Sequence, residues 1–542
     1  MEKYWHWIDE TVENIVEYWK DRELYVCSCG MSVSGLQHLG RLRGEIVLTN
    51  TVKEELLRMG KETEHFLVLY TQDQWKGKGA QLGQFSDKEE AEKYRSRRLI
   101  DVPDPFGCHN NWVEHYWSPF RDCLNSFSIG VKTVSTTDLY KTEGMKELVR
   151  KTIQRKEELR QVINKYRGRT PYPKDWIPFE TFCNECLTIG QHKILSVNLD
   201  DYKVEYVCNH CGAQGVSSME DGKLNWRVEW SALWALFNVS FEPYGKDHAT
   251  PGGSRDSCVE IVEKIFERKP PFGYPYEWVG FSVDGKDMGD MGSSDFLGIT
   301  PADWLEVSEP EVLRYLYLKN KPMKRVVIDV SRVPEHSEIY DQAERVYYGV
   351  EKVTQEKEEF EMRRSYELSQ LRLPPKVLPF QLRYAHAVTL IQTLSKEKLL
   401  EDAITKLKTT GLLSGEPSEE DKIRIEKRLN EAKAWLEKYA PERLKLKVLE
   451  ELPLTLKQQL KEEEKDALRV LVERLGDREL TENELENILY RVAKEEADLG
   501  SKKFFQLIYL VLFGQKQGPR LGSFILLMDR SLLLKRLREA YQ

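Results

Sequence analysis

Leu24 to Cys27 reads as a short buried strand, and Leu42, Ile46, Val47, Leu56 and Met59 then form an apolar stripe that ends at Gly60. A second apolar run, Phe66 to Tyr70, completes the order strand, loop, helix, strand. That order predicts a parallel unit with a right-handed crossover, whose ligand crevice lies at the carboxyl ends of the strands. The joint is Cys29-Gly-Met-Ser-Val-Ser-Gly-Leu-Gln-His-Leu-Gly40, a run of small residues that places His38 at the helix start. Helix-start amides carry partial positive charge, and Gly35 and Gly40 let a phosphate approach the backbone closely.

Strand and helix patterns alternate to about Tyr140, interrupted by a polar loop at Lys76 to Phe85, and Val102-Pro-Asp-Pro-Phe-Gly-Cys108-His109 reads as a rigid loop. His109 and His115 read as structural rather than catalytic. Lys146 to Tyr166 is a charged helix leading into an insertion over about Pro171 to Lys223. Within it, Lys193 to Leu199 and Lys203 to Val207 alternate as hairpin strands around Asp200-Asp201. Trp226 to Trp230 and Phe241 to His248 return to strand-and-loop character. From about Val326 the texture is helical: Thr481-Glu-Asn-Glu484 is a capping box before Leu485, Ile488, Leu489, Val492 and Ala493, and Ser418-Glu-Glu-Asp421 opens a helix carrying Ile425, Leu429, Ala432, Trp435 and Leu436.

Composition adds bounds. At 542 residues and 40% hydrophobic content the chain supports several cores. It shows neither a membrane-length apolar run nor a secretory signal at Met1-Glu-Lys-Tyr-Trp-His6, so a cytoplasmic location is expected. A net charge of −8 leaves any nucleic-acid contact to local basic patches. Lys502, Lys503, Lys516, Arg520, Lys535, Arg536 and Arg538 are candidates for one, or equally a solvated helix face, whereas Phe504 and Phe505 read as core. Among nine cysteines, Cys183/Cys186 and Cys208/Cys211 form two Cys-x-x-Cys knuckles. Brought together by a hairpin they make the closed four-thiolate set of a structural Zn²⁺ ribbon. Cys27, Cys29, Cys108, Cys123 and Cys258 read as buried or incidental thiols.

Together, Gly30 to Gly40, Val102 to His109, Trp226-Arg-Val-Glu-Trp230, Phe241-Glu-Pro-Tyr-Gly-Lys-Asp-His248, Leu305-Glu-Val-Ser-Glu-Pro310 and Gly518-Pro-Arg-Leu-Gly-Ser-Phe524 resemble the class I lysyl-tRNA synthetases over essentially the full chain. The resemblance implies an α/β Rossmann-type catalytic domain (1–170 and 224–325) with a zinc-ribbon insertion (171–223), followed by an all-α linking and anticodon-binding helix cage (326–542). It implies ATP, Mg²⁺ and a structural Zn²⁺ as cofactors, lysine and its tRNA as partners, and a monomer. By residue, His38 and Gly40 match the first ATP-holding signature. Gly30, Ser32, Trp226 and Glu229 match the amino-acid pocket, and Gly245, Lys246, Asp247 and His248 match a second nucleotide-contacting loop.

The departures from the family pattern concern charge. The family's second signature, Lys-Met-Ser-x-Ser-Lys, has lysines that hold pyrophosphate as it leaves, and here the segment reads Gly285-Lys-Asp-Met-Gly-Asp-Met-Gly-Ser-Ser-Asp-Phe296. Counted back from Glu309-Pro310, both lysine positions are acids, Asp290 and Asp295, flanking Ser293 and Ser294; counted forward from Glu277, Lys286 stands in for the first lysine. One charge pair at about 5 Å and an effective dielectric near 20 is worth roughly 3 kcal/mol, so repulsion in place of attraction is expected to slow the reaction severely. Arg41 closes the first signature where asparagine or histidine is usual, and Tyr70-Thr71-Gln72 stands where the family has an acidic pair before Asp73. These departures keep two alternatives open: an impaired paralogue that binds tRNA or regulates, and a ligase with a changed amino acid or acceptor.

Overall fold

The computed structural model describes residues 5–542 apart from 169, 395–396, 450, 477, 479, 498 and 519–520. Strand β1 (Leu24–Met31) pairs in parallel with β2 (Glu62–Leu69), and β2 pairs in parallel with β3 (Lys132–Ser135). On the other flank of β1, Cys27 bridges in parallel to Phe241, and Phe241 to Phe272. The sheet therefore grows outward from β1 to β3 and later returns to extend β1 on its opposite side. Such a reversal opens a crevice at the carboxyl end of the central strand. Burial on both faces explains why β1 reads as a continuous apolar run, with Tyr25, Val26, Cys27 and Cys29 all inside.

The crossover helix contains a π-helical turn, Leu42–Val47, between Leu39–Arg41 and Leu48–Arg58. Leu42, Ile46, Val47 and Leu56 are buried as their spacing predicts, but Met59 is 50% exposed because the helix has ended and Gly60 follows in the left-handed region. The turn presses Gly44 against the Tyr276 ring, so closely that a Cβ there would lie 2.2 Å from it.

Three local expectations change. The charged run before the insertion is two helices, Glu143–Gln154 and Lys156–Lys165, divided at Arg155. The polar stretch after Lys76 contains a helical turn, Gly79–Leu82. Trp226–Phe237 is a helix, not strand and loop. Its opening alternates like a strand, yet the stripe that packs is Trp226, Trp230 and Trp234 at four-residue spacing, with ring centroids 5.2 and 4.8 Å apart.

Inside the insertion, Lys193–Asn198, Lys203–Val207 and Gln214–Ser218 form an antiparallel meander. Val326–Asp329 pairs in parallel with Val279–Val283, so these four residues, expected at the start of the helical part, belong to a sheet of the α/β part. Beyond them the described chain is helical, and the capping boxes at Ser418 and Thr481 are both made. Phe504 is fully buried and Phe505 packs against the same core. Lys502, Lys503, Lys516 and Lys535 face solvent, whereas Arg536 is only 1% exposed and pairs with Glu539 within its own helix; Arg520 lies outside the described residues. Among the described residues no helix is long and apolar enough to cross a membrane.

Candidate active site

At the switch point lies a cleft of about 500 Å³ walled by Gly30, His38, Gly40 and Arg41 on one side, and by Glu242, Gly245, Asp247 and His248 on another. The segment from Asp290 to Ser293, with Asp295, closes its rim. Ser32 and Gly35 do not reach the wall. Gly35 instead lies beneath the rim segment, where a Cβ would stand 2.4 Å from the Ser293 carbonyl and 2.9 Å from the Phe296 ring.

His38 caps the helix: its Nδ1 accepts from the Gly40 amide at 3.1 Å. A side chain on Gly40 would meet the imidazole at 2.8 Å, so glycine is needed there. Burial, with Arg41 beside it, pushes the imidazole down to about 3. His38 is thus neutral at physiological pH and, with Nδ1 accepting, carries its proton on Nε2, a donor suited to a phosphate oxygen.

The cleft floor holds an acid not singled out in the sequence. Glu242 is 5% exposed and accepts from the indole N–H groups of Trp230 at 2.7 Å and Trp234 at 2.8 Å. Burial raises its pKa, while those donors and the Arg255 charge oppose the rise. Two tryptophans four residues apart, followed by an acid in Phe241-Glu-Pro-Tyr, are the only sequence trace of this arrangement. Beside it stand Tyr70 and Tyr244. Thr71 and Gln72 are engaged elsewhere, Thr71 Oγ1 with Thr137 Oγ1 at 2.7 Å and Gln72 with the Glu220 carbonyl at 2.9 Å, so the place of the missing acidic pair is taken up by structural contacts.

Trp226 lines the cleft and stacks on His248 with centroids 5.0 Å apart; Glu229 does not line it. Glu229 is fully buried behind the wall, 2.9 Å from Lys223 Nζ, and accepts from the Tyr140 hydroxyl at 2.9 Å; Lys223 also pairs with Asp73. One turn of helix separates the two residues' environments. Lys246 likewise turns away, its ammonium 2.5 Å from Glu277 and over the Trp278 ring. Lys286 follows the tight turn at Asp284-Gly285, both at positive φ, and stands exposed outside the cleft.

The acids of the rim are neutralised by cations from other parts of the chain. Arg325 Nε donates to Asp290 Oδ1 at 2.8 Å, and the same guanidinium holds Asp287 at 2.6 Å. Lys78 Nζ donates to both Asp295 oxygens, at 3.0 and 3.1 Å, and to Ser294 Oγ at 2.8 Å. Arg41 reaches Ser293 Oγ at 3.5 Å while pairing with Glu45. The repulsion expected from Asp290 and Asp295 is therefore reduced, though Arg325 is shared with Asp287 and the Lys78 pair is exposed.

Two clusters have the chemistry of metal sites. Sγ of Cys183 lies 3.8 Å from that of Cys211, and Sγ of Cys186 lies 3.7 Å from that of Cys208. Zn–S bonds of about 2.3 Å give a tetrahedron with edges of about 3.8 Å, so the four sulfurs fit Zn²⁺. Burial opposes ionisation of Cys208, but the amides of Cys211 and His210 aimed at its sulfur bring it down to about 6. The second cluster is Asp104, Cys108, His109 and His115, whose ligand atoms lie within 4.8 Å of one another. Cys108 Sγ is 3.1 Å from His109 Nδ1 and 3.3 Å from His115 Nδ1, which is 3.1 Å from Asp104. The reading of Cys108 as incidental thus changes; the Asp-x-x-x-Cys-His-x-x-x-x-x-His spacing was the signal. This cluster spans the start of the helix Trp112–Leu124, whose Trp112 and Tyr116 pack edge-on against Phe296 beside Asp295.

Comparison with known proteins agrees with this geometry. Residues 5–372 match the class I (K) tRNA synthetases and residues 428–541 an anticodon binding domain. The lysine–tRNA ligase of Aeropyrum pernix is 40% identical over 540 residues, covering 99% of this chain and 98% of that protein. Those of Thermococcus kodakarensis and Pyrococcus horikoshii are 33% and 31% identical, each over 98% of this chain and 99% of the relative. A class I catalytic fold followed by an all-helical anticodon domain, matched end to end by these relatives, makes the chain a member of the class I (K) tRNA synthetase family.

Proposed function

We propose that this protein activates lysine with ATP and transfers the lysyl group to tRNA. The observation that carries the reading is a single cleft holding a neutral, correctly tautomerised His38 and, on its floor, the buried carboxylate of Glu242. An ammonium is the ligand such a carboxylate selects. Lysine lies with its side-chain ammonium at Glu242 and its carboxylate toward Gly30, where a Cβ would strike the Tyr70 ring at 2.7 Å. ATP enters between the His38 turn and the Gly245-to-His248 loop.

One lysine carboxylate oxygen attacks the α-phosphorus, the bond from that phosphorus to the β-phosphate oxygen breaks, and its electron pair leaves on pyrophosphate. The protein positions the reactants and stabilises charge, and His38 Nε2–H donates to phosphate oxygens. Mg²⁺, when bound with ATP, supplies further positive charge to the β- and γ-phosphates. The Cys183, Cys186, Cys208 and Cys211 set would hold a closed structural Zn²⁺ in residues 171–223, and the Asp104, Cys108, His109 and His115 set would hold a second, bracing the helix behind Phe296. The helical residues beyond 329 serve tRNA, with the exposed lysines as phosphate contacts. The ion pairs made by Asp290 and Asp295 weaken the charge-repulsion argument for an impaired paralogue.

The test is lysyl-tRNA formation with purified protein, ATP, Mg²⁺ and radiolabelled lysine. Acid-stable charging of a lysine-accepting transcript is expected; charging with another amino acid and not with lysine would overturn the reading.

A further inference from the structure

We propose that Lys78 supplies the positive charge for the departing pyrophosphate that the rim segment no longer carries. The inference rests on the adenylation reading above. Three observations lead to it. The rim position that holds Asp295 is acidic, yet the Lys78 ammonium lies within 3.1 Å of both its oxygens and 2.8 Å from Ser294 Oγ. An ammonium one carboxylate away from the Asp295 backbone stands about where a lysine at that position would place its own.

The base of Lys78 is firmly held, while its tip sits in a solvent-exposed ion pair. Its backbone amide donates to Gln81 Oε1 at 2.7 Å, and the buried Gln81 Nε2 donates to the Ser34 carbonyl at 2.8 Å, tying this segment to the turn that bears His38. The Lys78 side chain is 42% exposed and that of Asp295 58%, so their ion pair is weak and can exchange. By contrast, Arg325 is spent on Asp287 and Asp290, and Arg41 on Glu45.

Before ATP enters, Asp295 and Ser294 hold Lys78 at the cleft rim. As the bond between the α-phosphorus and the bridging oxygen breaks, negative charge grows on the β-phosphate, a stronger acceptor than the screened Asp295 carboxylate. The ammonium then turns to donate to those oxygens, with no covalent bond formed to it. Lysine's compact charge on a flexible stem suits such a transfer.

Lysine-dependent ATP–pyrophosphate exchange separates the outcomes. Lys78→Ala is expected to slow exchange roughly ten- to a hundredfold at saturating ATP, with the KM for lysine unchanged. Lys78→Ala combined with Asp295→Asn should remain slow, and Lys78→Ala combined with Asp295→Lys should recover most of the rate. Native-rate exchange by Lys78→Ala, or by its pair with Asp295→Asn, would overturn the inference, the latter because Lys78 would then only silence Asp295. An equal loss of lysine affinity and thermal stability in Lys78→Ala would overturn it too. No exchange by the native protein would remove the adenylation reading and this inference together, whereas native exchange with indifferent variants removes the inference alone.

Discussion

Glu242→Gln tests how the cleft chooses its amino acid. The substitution keeps shape and volume and removes one charge beside Trp230, Trp234 and Tyr70. With a lysine ammonium about 4 Å away and an effective dielectric near 20, the charge pair is worth about 4 kcal/mol. Some of that is regained because the amide oxygen can still accept from the lysine ammonium, although the new NH2 meets one of the indole N–H groups that reach the carboxylate at 2.7 and 2.8 Å. A net loss of about 3 kcal/mol corresponds to roughly a hundredfold in kcat/KM for lysine. The assay is pyrophosphate exchange over a lysine titration, repeated with norleucine, which lacks the side-chain ammonium. Lysine should lose that factor, norleucine almost none, and the KM for ATP should stay put. Equal losses for both amino acids would move Glu242 to the α-amine, and a lysine KM within twofold of native would refute the assignment.

Other predictions concern the frame of the site. Because His38 is held neutral down to about 3, its titration should leave no limb near pH 6.5 in the exchange rate; His38→Asn should abolish at least tenfold of the rate, while a limb lost in that variant would contradict the tautomer assigned here. Lys223→Met leaves the fully buried Glu229 without its cation and the half-buried Asp73 unpaired nearby, and thermal or urea unfolding should show about 3–5 kcal/mol of destabilisation. The sign of its pH dependence follows from Glu229, which burial and the charge of Asp73 raise to about 7 even with Lys223 present. A raised carboxyl binds its proton more tightly folded than unfolded, so stability should fall as pH rises from about 4.5 through 7, more steeply in the variant. Elemental analysis should find about two zinc equivalents per chain, falling to about one in Cys108→Ser with His115→Ala; one equivalent in both proteins would mean the second cluster binds no metal.

What the sequence disclosed was what lies close together along it. The turn from β1 to His38 is one short segment, the four cysteines come as two knuckles on a hairpin, and the capping boxes close within four residues. Adjacent chemistry survives reading in one dimension. The floor and rim of the cleft do not, because they form between distant segments: Lys78 meets Asp295 across 217 positions, and Arg325 meets Asp290 across 35. Without those partners, two acids in place of lysines read as repulsion. Glu229 misled for a different reason. It follows Trp226 by three residues and lies only about 60° round the helix from it, but Trp226 lines the cleft at the helix start while Glu229 is fully buried against Lys223 and Tyr140, partners far away in the chain. Glu242 went unread because its role comes from two indoles on that same helix, itself disguised by strand-like alternation at its start.

A crystal structure with a non-hydrolysable lysyl-adenylate analogue, in which a sulfamoyl group replaces the phosphoryl group, tests the central claim most directly. The analogue should occupy the cleft beyond β1, with an acidic-group oxygen accepting from His38 Nε2 and the side-chain ammonium on Glu242. A complex with the analogue bound elsewhere, or with its ammonium directed away from Glu242 toward solvent, would contradict the account.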